Sequence, residues 1–134
     1  MLKKLLFTTI LLGIQISAFA QYCNTSLHTV SCTASGNGYI DAVSIAATSL
    51  FNSGTGCSNT TSAYTYFTGT SQVTATLARG TTYTFFVTEG LQSSDISIWI
   101  DYDQNLVFDA SEWTSVAVGS SVGVASSVSI TIPA

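Results

Sequence analysis

Residues 96–113, I-S-I-W-I-D-Y-D-Q-N-L-V-F-D-A-S-E-W, begin as a strand and end as an acidic loop, and the rest of the chain is organised around them. Ile96, Ile98 and Ile100 alternate with Ser97, Trp99 and Asp101, the period-two pattern of a half-buried strand with one aliphatic face. Counting Asp101 as position 1, oxygen-bearing side chains fall at positions 1, 3, 5, 9 and 12, as Asp101, Asp103, Asn105, Asp109 and Glu112. Val107 stands at position 7, where a backbone carbonyl serves and side-chain identity matters little. This is the ligand spacing of an EF-hand calcium loop.

Calcium takes six to eight oxygens at about 2.3–2.6 Å, so a tightly curled loop must point alternate side chains inward and close with a bidentate carboxylate. Asp101, Asp103 and Asn105 supply the first turn, and Glu112 closes it. Without a cation the carboxylates repel, each pair by about 4 kcal/mol at 4 Å and an effective dielectric near 20. A divalent ion turns that repulsion into attraction. Position 6, where glycine normally makes the sharp turn, is Leu106. The loop also follows a strand rather than a helix, so the chain is not an EF-hand domain. The alternative to a calcium site is a solvated acidic turn between two strands.

From Tyr39 on, short strands alternate with turn residues. The pattern predicts strands over residues 39–45, 64–68, 72–78, 82–88, 96–101, 113–118 and 128–132, with a loop over residues 52–62 carrying Gly54 and Gly56. Val73, Ala75 and Leu77 share one face, as do Tyr83, Phe85 and Val87, and Val128, Ile130 and Ile132. Seven strands without a convincing helical period predict an all-β protein, an immunoglobulin-like or jelly-roll-type β-sandwich.

Residues 1–20 read as a bacterial-type secretory signal: Lys3 and Lys4 precede an apolar core, and Ala18-Phe19-Ala20 forms a cleavage site before Gln21. A single domain over residues 21–134 is then expected, secreted or at the cell surface. Loss of the signal leaves Arg79 as the one basic side chain against seven acids, four of them in the acidic loop. Such a surface has no basic stripe for nucleic acid and no polybasic patch for an anionic membrane. Export implies an oxidising compartment, so among Cys23, Cys32 and Cys57 one disulfide is expected, with one thiol left over. The sequence leaves the pairing open. A metal site made of these cysteines and His28 fits no C-x-x-C spacing.

Several segments together resemble the GEVED-type domain. They are Tyr22-Cys23, Tyr39-Ile40-Asp41-x-Val43, Tyr64-Thr65-Tyr66, Arg79-Gly80-Thr81-Thr82-Tyr83-Thr84, the W-I-D-Y-D-Q-N run from Trp99 to Asn105 with Phe108-Asp109 and Glu112, and the closing Ile132-Pro133-Ala134. The resemblance implies a β-sandwich module of secreted, often multidomain bacterial proteins. It also implies a non-catalytic accessory role and an acidic loop that holds calcium. The Gly-Glu-x-Glu-Asp-Tyr motif that names the family does not occur before Ala134. Nothing carried by that motif transfers, and a sheet lacking its last strands is expected, the chain being either a fragment of a longer protein or completed by a strand from a partner.

Two function classes follow. The first is a calcium-stabilised structural or adhesive module whose partners are other domains of a larger exported protein, or an extracellular glycan or protein. The second is an enzyme, for example a secreted hydrolase with paired carboxylates. The acids cluster in one ligand-spaced loop, and no H-E-x-x-H pattern occurs, so a non-enzyme is expected. The runner-up is a carbohydrate-binding module using Tyr64, Tyr66, Trp99 and Tyr102 as a sugar-stacking platform.

Overall fold

The computed structural model of the chain describes residue 32 and residues 38–57, 65–67, 69 and 72–134. The predicted signal, Cys23, His28 and Tyr64 lie outside the described residues. Six strands form two antiparallel sheets: β1 Ile40–Ile45, β2 Phe51–Ser53, β3 Thr82–Glu89, β4 Ile96–Trp99, β5 Trp113–Ala117 and β6 Ala125–Thr131. The larger sheet has the order β2-β1-β3-β6, and β4 pairs with β5 in the smaller one. The result is the all-β, sandwich-like architecture that the strand pattern predicts.

β3 is the central strand because its sequence, T-Y-T-F-F-V-T-E, can serve two neighbours and a core at once. Phe85, Val87 and Glu89 are buried on one face, while its backbone pairs with β1 through Val43↔Val87 and with β6 through Phe85↔Val128. Ile45, Phe85 and Ile130 form the heart of the core, and Ile98 and Ile100 from the other layer pack against them with Leu50, Ala75 and Leu77. The alternation of Ile96, Ile98 and Ile100 thus does what its period implies, laying aliphatic side chains over the larger sheet.

Three expectations are corrected. Residues 65–67 form no strand. Residues 72–78 keep the predicted alternation, with Val73, Ala75 and Leu77 turned inward, but form no ladder. Their polar backbone groups find other partners: Gln72 O accepts from Phe51 N at 3.0 Å, and Thr74 O accepts from the Ser49 hydroxyl at 2.9 Å. Ala78 N donates to the Tyr83 hydroxyl at 2.9 Å. Burial alternates whenever a segment lies along a core, whether or not a strand edge is free to pair with it. Conversely, the beginning of the predicted 52–62 loop is strand, because β1 offers a ladder (Ala42↔Ser53, Val43↔Asn52) that ends only where Gly54 turns to a φ of 64°.

Of the disulfide pairings that the sequence leaves open, the structure has Cys32–Cys57, with Cα atoms 5.7 Å apart across 25 residues. It fastens residue 32 to the loop after β2. Closing a loop of that size in the unfolded chain contributes about 3 kcal/mol to stability. It also implies an oxidising compartment.

A second fastener is polar. Glu89, at the end of β3, is only 2% exposed, and both of its carboxylate oxygens accept hydroxyl hydrogen bonds, from Ser94 and from Ser120. Ser120 Oγ in turn accepts from Ser94 N at 3.1 Å, and Ser120 N donates to Ser94 O at 2.9 Å. Glu89 belongs to the larger sheet, Ser94 leads into β4 and Ser120 follows β5, so one carboxylate ties both layers together. Gly38 is required beside it, because a Cβ there would collide with the Glu89 carboxylate. Truncating a buried hydrogen-bonding partner that serves two hydroxyls costs about 2–3 kcal/mol. Glu89→Ala is therefore expected to lower unfolding free energy by that amount in urea denaturation, and a change under about 0.5 kcal/mol would remove Glu89 from this role.

Candidate metal centre

Between β4 and β5 the chain runs through the acidic loop and a 3₁₀ turn, Ala110–Glu112. Three of the predicted ligands converge: Asp101, Asp103 and Glu112 each present an oxygen, and these atoms all lie within 4.8 Å of one another. Two oxygens held by one calcium at about 2.3–2.6 Å are at most about 5 Å apart, so the spacing fits a common ion. Glu112, at position 12, is 5% exposed. Its Oε1 accepts from Tyr102 N at 2.7 Å and its Oε2 from Asp109 N at 3.0 Å. Its backbone closes the loop as well, with Glu112 O accepting from Ile100 N at 3.1 Å.

The other oxygens orient the turn. Asp101 accepts from Asn105 N at 3.2 Å and from Leu106 N at 3.0 Å. Asp103 accepts from Asn105 N at 3.1 Å and from Asn105 Nδ2 at 3.0 Å. Asn105 Oδ1 accepts from Val107 N at 2.7 Å. Asp103 and Asn105 thus each accept a backbone N–H two residues on, the local geometry that Asp and Asn favour in turns, while Asp101 reaches four and five residues on. Asp109 stands outside the convergent triplet and forms a capping box with Glu112, its N–H donating to Glu112 Oε2. Position 9 of such loops commonly reaches its ion through water. Arg79, the one basic side chain among the described residues, directs its guanidinium to Ala134 O at 3.5 Å.

Leu106 does not prevent the sharp turn. It adopts a φ of 73°, the left-handed conformation that glycine would take at position 6, and Gln104 does the same at 58°. Each non-glycine residue there costs about 1–2 kcal/mol. The turn bears this cost because Leu106 is half buried and its N–H is held by Asp101.

Burial, reinforced by the negative charge of Glu112, pushes the Tyr102 phenol above its ordinary value of 10.0. Tyr102 is half-buried and packs against the core. Tyr66 is exposed, as is Trp99, whose ring lies 5.8 Å from that of Phe108. Trp113, one more strand residue in the sequence pattern, is also exposed. It is the register partner of Trp99, and only strand pairing reveals that the two indoles stand opposite each other. Elsewhere, an apolar groove of about 300 Å³ lined mainly by Ile40, Val43, Leu50, Phe67 and Val73 brings no titratable groups together.

No family model, curated protein or solved structure matches the chain. Among the described residues no helix is long and apolar enough to cross a membrane.

Gln104 is exposed and carries left-handed strain without compensating burial. Gln104→Gly is expected to stabilise the protein by about 1 kcal/mol, a rise of several degrees in thermal unfolding. A lowered melting temperature would show that the turn depends on the glutamine side chain.

Proposed function

We propose that this protein is a non-catalytic, calcium-stabilised β-sandwich module of an exported protein, acting as an accessory or adhesion-type domain secreted or held at the cell surface. The observation that carries the reading is the convergence of Asp101, Asp103 and Glu112 within 4.8 Å in a loop of EF-hand spacing. Asn105 and the Val107 carbonyl would complete the inner set, with Asp109 reaching the ion through water. The donors are all oxygens, and carboxylates and carbonyls suit a hard cation such as calcium. The converging acids belong to one loop rather than to two walls of a cleft, which favours ion binding over acid–base hydrolysis. The disulfide and the resemblance to GEVED-type domains point towards an extracellular module, with other domains of a larger protein or extracellular glycans and proteins as its partners.

A loop with a dissociation constant near 10 µM, in about 1 mM calcium, adds about 2.7 kcal/mol to stability. The melting temperature is expected to rise by several degrees over that in chelator. Asp103→Ala should abolish this rise while leaving the melt in chelator almost unchanged, because Asp103 is exposed. Glu112→Ala should abolish it and also lower the melt in chelator, because Tyr102 N and Asp109 N lose their acceptor. Equal melting with calcium and with chelator in the native chain would overturn the reading.

A further inference from the structure

The exposed face of the β4–β5 ribbon is unusual in what it presents. Trp99 and Trp113 are direct cross-strand partners, 43% and 49% exposed, and the next rung on the same face is the pair Ser97↔Ser115, both exposed. Ile98 and Thr114, the rung between them, face the other way and are half buried. The surface is therefore two adjacent indoles followed by two hydroxyls. The pair is fixed at the mouth of the acidic loop. Trp99 precedes Ile100, whose N–H binds Glu112 O, and Trp113 follows Glu112 directly. Phe108 from the loop leans on Trp99, with ring planes inclined at 43°.

We infer that this indole and serine face is a binding platform for neutral polysaccharide. The proposal rests on the module being adhesive, as proposed above, and supplies its ligand class. A pyranose ring offers a flat patch of C–H groups, which stack on an indole face, and a rim of hydroxyls that donate hydrogen bonds. The platform matches both, with two indoles for the ring faces and the Ser97 and Ser115 hydroxyls on the next rung for the rim. Charge selects among ligands. Arg79 is the only base among the described residues, against seven acids, so polyanions such as nucleic acids, sulfated glycans and acidic lipid surfaces are repelled. A neutral polyol needs no counter-charge, and its hydroxyls can both donate to and accept from the two serines.

The test is depletion of the purified chain by insoluble cellulose, xylan, chitin and β-1,3-glucan, together with an array of neutral oligosaccharides. Tryptophan fluorescence would be titrated with any soluble oligomer that binds. At least one neutral glycan is expected to bind, with affinity falling about tenfold or more in Trp99→Ala and in Trp113→Ala. Trp113→Phe, which keeps an aromatic face, should retain part of the binding. Thermal melts with and without calcium are run on every variant, so that lost binding is counted only where the fold is intact. Retention of a native calcium response alongside loss of glycan supports the platform. Glycan binding through the two indoles in a chain that ignores calcium supports the platform while overturning the metal reading. The platform is overturned if no neutral glycan binds, if both alanine variants bind like the native chain, or if basic peptides or anionic vesicles are captured instead.

Discussion

A carboxylate buried to 5% exposure has to be compensated, and Glu112 imposes that requirement on everything between β4 and β5. Taking an ionised carboxylate out of water costs several kcal/mol unless hydrogen bonds or a counter-ion restore what was lost. Two backbone N–H groups, of Tyr102 and Asp109, supply part of the compensation, and they do so by wrapping the chain around the side chain. Asp101 and Asp103 are thereby drawn towards it, which adds repulsion rather than relief. The divalent cation proposed for this loop would resolve both problems. Loop closure then sets the register that starts β5 at Trp113, opposite Trp99.

Glu89 answers the same physical problem differently. Its partners are two serine hydroxyls from connections on either side of the smaller sheet, so its burial joins layers instead of shaping a loop. Such fasteners matter here because the core is small. Ile45, Phe85 and Ile130 are its buried heart, while many of the surrounding apolar residues are only partly covered. With so little aliphatic burial, the disulfide and the Glu89 network each represent a large fraction of a typical domain's net stability of about 5–15 kcal/mol, and the proposed ion in the acidic loop would do the same.

Much of this was legible in the sequence, and the exceptions share a cause. Strands with clear alternation, such as β3 and β6, emerge because one face is more buried than the other. The acidic loop emerges because its ligand spacing is local. Where meaning depends on a partner distant in sequence, the pattern is silent or misleading. Residues 72–78 alternate because they line the core, yet no ladder forms there, and the three residues of β2 are too few to show a period. Glu89 reads as the end of a strand before Gly90, since Ser94 and Ser120 become its partners only after folding. Trp113 reads as one more strand residue until register sets it against Trp99. Leu106 looks like a defect in the loop, but the backbone adopts the left-handed turn regardless.

Terbium(III) luminescence tests the central claim most directly. Terbium favours oxygen ligands as calcium does, and its emission is sensitised by aromatic rings close to the ion, here Tyr102 within the loop and Trp99 at its mouth. Excitation of the aromatic side chains should give saturable terbium emission with one ion per chain, displaced by calcium at micromolar levels and far less by magnesium, which keeps its waters and demands a smaller octahedral site. Emission that is absent, or that calcium cannot displace, would contradict a calcium site between β4 and β5.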